Sequence, residues 1–257
     1  MKYIMQYPFF ILISIFLNVQ AQQRSYFQLK IYTLSSDTQI SITDAYLKDA
    51  YLPALKRTGI SNIGVFKPKT IATDSIKKIY VLTPYASLEE FQTTAEIILK
   101  DELHNAAGAA YLNAAYNQPP YVRIESVLLY AFEQMPGLRP SPLTGPRTDR
   151  IYELRSYESP TEALYRNKVH MFNEGGEVAL FEQLGFNAVF YGEVLSGAHM
   201  PNLVYMTTFE NQESRDAHWK AFGESAVWSQ LKVDPYYQNN MSKNDARMLY
   251  PTEYSDY

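Results

Sequence analysis

An acid, a base and a phenol alternate along one short segment of the chain, as Glu153, Arg155 and Tyr157. In a β-strand, alternate residues share one face and lie about 7 Å apart, so Arg155 could reach Glu153 or an acid on the next strand. The face therefore has two interpretations. It is either an internal ion pair or the lining of a cavity that binds an anionic or carbonyl-bearing ligand.

The same spacing recurs near the beginning of the chain, in Gln28, Lys30 and Tyr32. Each of these strands opens a repeat and is expected near the centre of its sheet, where polar side chains need a partner or a ligand. Of the two faces, the one with Glu153, Arg155 and Tyr157 is favoured as the ligand contact. Arg155→Met is accordingly expected to lose ligand, and Lys30→Met to retain it.

Metal-capable side chains flank the glycine pair Gly175-Gly176, in a segment with helical character. His170 and Glu174 are four positions apart, which places both on one helix face. A metal site needs a third ligand and none is evident nearby, so no metal is predicted and a solvated helix end is the alternative. The glycine pair removes side-chain bulk, and such a break could form a pocket mouth.

Three of the four histidines and both tryptophans lie in the second half of the chain. Trp219 shares a helical stripe with Phe222, which is typical of core packing. His218 lies beside that stripe and either faces a cavity or forms a structural hydrogen bond. This distribution favours a site in the second half, with the ligand-binding candidates Glu153, Arg155, Tyr157, His170, Glu174, His218 and Trp219.

The sequence contains no nucleophile elbow, Walker loop, dinucleotide-binding glycine loop, HExxH helix or paired CxxC motif. Enzyme classes that these signatures identify are disfavoured. Acidic residues outnumber basic ones, 27 to 23, which disfavours a nucleic-acid partner. Cysteine is absent, so no disulfide framework exists, and 22 tyrosines favour a sheet-rich fold.

The first residues have the pattern of a secretory signal peptide. Lys2 precedes an apolar stretch from Phe9 to Leu17, and Val19-Gln20-Ala21 is a small-x-small cleavage pattern. The stretch is shorter than the roughly 20 residues that cross a bilayer, so no transmembrane anchor is predicted. We expect residues 1–21 to be removed and the mature protein to be periplasmic or secreted.

A segment rich in proline and glycine, residues 134–149, is interpreted as a linker between a first repeat, 22–133, and a second, 150–257. In the first repeat, the patterns predict strands at 26–32, 62–67, 78–85 and 121–132, and helices at 43–57, from the capping box Ser87 to Glu90 onward, and over 106–115. The stripe expected to be buried on the capped helix comprises Phe91, Ala95, Ile98 and Leu99.

In the second repeat, the patterns predict strands at 151–157, 186–194, 203–209 and 247–250, and helices at 161–172, 177–184 and 213–231. Both halves have the order β-α-β-β-α-β. The predicted fold class is α+β, a tandem of two ferredoxin-like βαββαβ repeats whose sheets pack face to face within one chain.

Three motifs of the second repeat resemble the NIPSNAP family: Tyr152 to Tyr157, Gly192-Glu193, and Asn202 to Met206. The resemblance covers residues 150–250, and the first repeat is more divergent. It implies a dimeric α/β-barrel, in which paired ferredoxin-like sheets form a barrel, here within one chain. The resemblance implies binding or scaffolding without a settled reaction, although distant relatives of the fold include haem-handling enzymes and cofactor-free oxygenases.

The leading hypothesis is an exported protein that binds a small apolar or aromatic ligand between sheet and helices. The first alternative is a cofactor-free or haem-dependent oxygenase or isomerase that uses the Glu153, Arg155 and Tyr157 face with His170 or His218. The second alternative is a scaffold or partner-binding protein, and a homo-oligomer is compatible with each. No cofactor is predicted, and haem enters only by analogy with the fold.

Overall fold

A computed structural model describes residues 23–69 and 77–257 of the chain. The predicted signal segment, residues 1–21, lies outside the described residues. Within the described ranges, none of the helices combines the length and the apolar character that crossing a membrane requires.

The strands are all antiparallel to their neighbours. They are β1 (Tyr26–Leu34), β2 (Gly64–Pro68), β3 (Lys77–Tyr85), β4 (Arg123–Ala131), β5 (Ile151–Glu158), β6 (Ala188–Ser196), β7 (Asn202–Phe209) and β8 (Lys243–Pro251). The helices are α1 (Asp37–Tyr46), α2 (Leu52–Arg57), α3 (Leu88–Lys100), α4 (Glu102–Ala107), α5 (Ala109–Leu112), α6 (Glu162–Asn173), α7 (Glu177–Gln183), α8 (Gln212–Glu224) and α9 (Ala226–Leu231). A π turn over Leu47–Tyr51 joins α1 to α2, and a 3₁₀ turn covers Pro235–Tyr237.

The strands form one closed barrel in the order β1-β3-β2-β8-β5-β7-β6-β4, so the predicted α+β class is confirmed. The barrel within one chain that the family resemblance implied is confirmed as well. Its two sheets do not pack as separate layers, because the outer strands of each half pair with the other half. Phe66 of β2 lies opposite Pro251 of β8, and Leu129 of β4 lies opposite Val194 of β6. An open sheet leaves amide and carbonyl groups unpaired along both edges, and closure of the barrel satisfies them.

Closure gives each strand an inner and an outer face with different neighbours. Along β5, Tyr152 and Leu154 point into the barrel, where the Tyr152 ring lies 4.9 Å from that of Phe66. Glu153 and Tyr157 point outward and contact the helices of the second half. The predicted division of this strand into two faces is therefore confirmed, and its polar face lies between sheet and helices.

Helix caps and strand pairing explain why some elements begin or end at other residues than predicted. α1 begins well before the predicted residue 43, because the Ser36 side chain accepts a hydrogen bond from a first-turn amide. The helix predicted over 213–231 is two helices, because Ser225 ends α8 and caps α9. β8 extends beyond the predicted 247–250, because it is paired on both sides, by β2 and β5.

Two details of the first-half helices also differ from prediction. Leu99 is 72% exposed and Ala95 is exposed as well, so their assignment to the buried stripe of α3 is wrong. Thr94 is buried with Ile98 instead. The capping box is confirmed for Ser87, which accepts from the Glu90 amide. The alanine-rich segment is helical but divided, because α4 ends and α5 begins at Gly108.

Because the two halves close one barrel, we predict that the second half does not form a stable monomer on its own. Residues 150–257 expressed alone would expose the edges of β6 and β8, which the intact chain pairs with β4 and β2. We expect this fragment to form a homodimer or an aggregate, measured by light scattering after size-exclusion chromatography. A stable, soluble monomer would contradict the account, and the intact chain is the control.

Candidate functional site

A buried carboxylate organises the outer face of β5. Glu153 is fully buried. It accepts four hydrogen bonds, from Arg155 Nη1 (2.8 Å), from Arg215 Nε and Nη2 (2.9 and 2.8 Å) and from Trp219 Nε1 (2.7 Å). A carboxylate has about four acceptor positions, so the capacity of Glu153 is used by protein groups. These contacts agree with the first of the two interpretations of this strand face, an internal ion pair.

Arg155 and Tyr157 are enclosed beside this carboxylate. The Arg155 guanidinium lies 4.3 Å from the Trp219 ring centroid, and the Arg155 side chain is 12% exposed. The Tyr157 hydroxyl lies 2.8 Å from that of Tyr205, and burial raises the pKa of Tyr157 to about 12, which keeps it a neutral phenol. Aromatic rings fill the surrounding layer, among them Phe172, Phe181, Phe186 and Phe222.

The other candidate residues do not join this cluster. His170 Nδ1 lies 3.0 Å from the Tyr237 hydroxyl, and Glu174 is exposed just after α6. The predicted helix break is confirmed, because Gly176 takes a left-handed φ of 89° before α7. Among the described residues, no group of three or more His, Cys, Asp or Glu is arranged to hold a metal ion.

His218 has a structural environment. Its Nδ1 donates to the Ser214 carbonyl at 2.6 Å, and its ring packs edge to face against Phe186. The neighbouring space is filled by the aromatic rings of the second-half core. A haem needs a flat cleft beside its axial ligand, so this filled layer does not fit one.

The matching layer of the first half contains an open cavity of about 280 Å³, between β1 and the helices. Its lining is largely apolar and aromatic and consists of Gln28, Lys30, Tyr46, Tyr51, Tyr85, Phe91, Thr94, Ala95, Ile98, Leu99, His104 and Leu112. Lys30 occupies on β1 the place that Arg155 has on β5. Gln28 occupies the place of Glu153, so the acid of the second half is missing from the first.

Lys30 therefore lacks the partner that its counterpart has. Its Nζ donates to the Tyr51 hydroxyl at 2.7 Å, and no carboxylate among the described residues pairs with it. Burial without an acid lowers the pKa of Lys30 from 10.5 to about 8. The cavity floor thus carries an ammonium group that loses its proton at a lower pH than an exposed lysine does.

A π turn brings two tyrosines into this cavity. Tyr46 and Tyr51 are five positions apart, which in a regular α-helix would separate them by about 140° around the axis. The Leu52 amide donates to the Leu47 carbonyl, the i to i+5 pattern that aligns such residues. Pro53 explains the turn, because it lacks an amide hydrogen and its ring clashes with the carbonyl of the preceding helical turn.

The cavity wall is connected by further polar contacts. The Tyr46 hydroxyl lies 3.1 Å from His104 Nε2, and the Tyr46 ring stacks on that of Tyr111 at 3.8 Å. Gln28 donates to Ser126 Oγ at 2.8 Å. These contacts orient the wall, whereas Lys30 and Tyr51 keep donor hydrogens available to a ligand.

Two smaller cavities are less suited to an apolar ligand. One of about 230 Å³ lies beside the proline-rich segment 134–149, where Arg139 pairs with Glu182 at 3.1 Å. One of about 130 Å³ lies at an end of the barrel, where Lys243 pairs with Glu158 at 3.0 Å. In both cavities, a basic side chain is already paired with a carboxylate of the protein.

Comparison with known proteins agrees with this architecture. Residues 152–256 match the model of the NIPSNAP family. The second half of the chain is a NIPSNAP domain. This confirms the resemblance that its β5 and β7 motifs indicated, and Glu153, Arg155 and Trp219 belong to that domain. None of the curated proteins compared with the chain matches it.

Solved structures of similar fold cover most of the chain. A candidate monooxygenase of Fusobacterium nucleatum is 8% identical, with a TM-score of 0.59 over 90% of this chain and 93% of the other. A candidate monooxygenase of Lactobacillus acidophilus is 10% identical, with a TM-score of 0.58 over 89% and 94%. A candidate chlorite dismutase is 10% identical, with a TM-score of 0.50 over 91% and 97%. At these identities the likeness shows the fold alone.

The open cavity lies outside the NIPSNAP domain, and sequence reasoning did not select it. The signal was present, because Gln28 and Lys30 repeat the β5 spacing without its acid. Arg215 was also missed, although it lies four positions before Trp219 and so shares its helix face. The ligand-binding interpretation of Arg155 stays an untested prediction.

The Glu153 cluster predicts unequal effects of two substitutions in the NIPSNAP domain. Glu153→Met leaves the enclosed Arg155 without an acid and Arg215 with Asp216 alone, and it should cost about 3–5 kcal/mol of unfolding free energy. Arg155→Met leaves Glu153 paired with Arg215 and Trp219 and should cost about 1.5–3 kcal/mol. Urea denaturation measures both, and a larger loss for Arg155→Met than for Glu153→Met would contradict this assignment.

Proposed function

We propose that the chain binds a small, apolar or aromatic molecule carrying one carbonyl or anionic oxygen, in the first-half cavity between β1 and the helices. The observation that carries the proposal is the unpaired ammonium of Lys30 on the floor of an otherwise apolar cavity. A partly buried cation without an acid is unfavourable, and an oxygen-bearing ligand would supply the missing partner.

The cavity supports the size and character of such a ligand. Its volume of about 280 Å³ is near the lower end of the range for small-molecule sites, which favours a compact molecule. Tyr46, Phe91 and Ile98 offer apolar and aromatic surface for its body. Lys30 and Tyr51 offer donor hydrogens for its oxygen.

An enzyme of the oxygenase or isomerase type is a second candidate. A specific observation favours it, because a lysine with a pKa near 8 has a share of neutral amine near neutral pH and could accept a proton from a bound carbon acid. The candidate monooxygenases of similar fold are consistent with such chemistry but show no activity for this chain. A scaffolding role is supported by the filled layer around Glu153.

Two further interpretations belong to the same proposal. We infer that the barrel consists of two ferredoxin-like repeats, which is supported by the same relative strand order, 4-1-3-2, in both halves.

We also infer export of the mature chain, which is supported by Lys2 and the apolar stretch that follows it. A ligand would then be taken up outside the cytoplasm.

Ligand binding is tested with 1-naphthoate as the probe, titrated by calorimetry. Lys30→Met should weaken binding by about 10- to 100-fold, because it removes a charge-assisted hydrogen bond. Ala95→Trp should also weaken it, because it places an indole ring across the cavity mouth.

The matched control for Lys30→Met is Arg155→Met, which should bind as the wild type does. This expectation reverses the one drawn from the sequence. If wild-type protein does not bind the probe, or if Arg155→Met weakens binding as much as Lys30→Met, the proposal fails. Native mass spectrometry of protein from its own host would identify the natural ligand.

A further inference from the structure

Two other lysines that are buried or partly buried pair with acids, whereas Lys30 does not. Lys67 pairs with Asp44 at 2.5 Å, and Lys168 pairs with Glu177 at 2.9 Å. Lys30 instead meets only the Tyr51 hydroxyl and the face of the same ring, whose centroid lies 4.5 Å from Nζ. Among the described residues, no carboxylate on this surface of β1 holds the amine in its charged form.

The environment of Lys30 raises the share of neutral amine above that of an exposed lysine. Removal from water without a compensating acid lowers the pKa of Lys30 to about 8. A desolvated lysine in an apolar pocket is an activated nucleophile, because only the neutral amine carries a free electron pair. The electron pair becomes available inside the same cavity that would hold the ligand.

Tyr51 is arranged to assist a reaction at that amine. Lys30 donates to the Tyr51 oxygen, so the hydroxyl hydrogen of Tyr51 remains available to an oxygen of the ligand. Burial raises the pKa of Tyr51 well above its usual value, so the hydroxyl keeps its proton. The π turn and the stacked ring of Tyr46 fix Tyr51 beside Nζ.

We propose that Lys30 forms an imine with a small apolar aldehyde or ketone bound in the first-half cavity, where the Tyr51 hydroxyl donates a hydrogen bond to the carbonyl oxygen. This inference rests on the proposed function, since it uses the same cavity and specifies the ligand as a carbonyl compound. It adds a covalent site that the second half, with its paired Arg155, does not have.

The reaction balances without an oxidant or reductant. The neutral amine attacks the carbonyl carbon, a carbon–nitrogen bond forms, and the carbonyl electron pair moves to oxygen, which takes up a proton as the nitrogen loses one. The resulting carbinolamine loses its hydroxyl group as water, and nitrogen releases its last proton on forming the double bond. Amine and carbonyl thus give imine and one water.

The test uses the full mature chain, benzaldehyde as the probe and cyanoborohydride, which reduces an imine to a stable benzylamine. Peptide mass mapping at pH 8 should find benzylation of Lys30 at least about tenfold faster than that of the exposed Lys100 and Lys232, because the neutral fraction of an amine depends on its pKa. The labelling rate of Lys30 should rise from pH 6 and level off above about 8.

Two variants and a competing ligand test whether labelling depends on the cavity or only on the general reactivity of lysine amines. Tyr51→Phe should slow labelling of Lys30 while leaving that of Lys100 unchanged, and Arg155→Met should change neither rate. Excess 1-naphthoate should protect Lys30 and not the exposed lysines. Each measurement uses folded protein, confirmed by circular dichroism, and the wild-type selectivity is decisive even if a variant fails to fold.

The outcomes distinguish this inference from the proposed function. If 1-naphthoate binds but Lys30 is labelled no faster than the exposed lysines, the imine is overturned and ligand binding stands. If the probe does not bind and labelling is unselective, both are overturned. Selective labelling of Lys30 that 1-naphthoate suppresses supports both.

Discussion

The structure depends on the pairing of sheet edges between the two halves. Once β2 joins β8 and β4 joins β6, the barrel is closed and its interior is filled by side chains such as Phe27 and Phe190, whose rings lie 5.5 Å apart. The interior is therefore core. Apart from the small cavity at one end of the barrel, polar groups on the strands can serve a ligand on the outer faces, between the barrel and the two helix layers.

The two outer layers differ in the residue at one position of the central strand. Where the second half has Glu153, which joins Arg155, Arg215 and Trp219 in a closed cluster, the first half has Gln28. An amide cannot neutralise a lysine, so Lys30 is left with a phenol for a partner. The NIPSNAP domain thus uses its central strand for stability, and the other half has an open cavity with a basic group on the same strand position.

Much of the local structure follows from the sequence, because strand alternation and helix caps act over short distances. The two faces of β5 and the cap at Ser87 were predictable in this way. Barrel closure followed from the family resemblance and not from these local patterns, because it joins residues such as Phe66 and Pro251 that are far apart in the chain. The cavity was missed because it depends on a π turn at Pro53 and on an absent acid, whereas the count of histidines and tryptophans pointed to the other half.

The central claim is that Lys30 is an unpaired amine in an apolar cavity. A pH titration of ¹³C-labelled lysine side chains by NMR measures this directly, with the Lys30 signal assigned by its loss in Lys30→Met. The account predicts one lysine that titrates near pH 8 and whose signal moves on addition of 1-naphthoate. Titration of Lys30 near the ordinary value of about 10.4, with no response to the ligand, would contradict it.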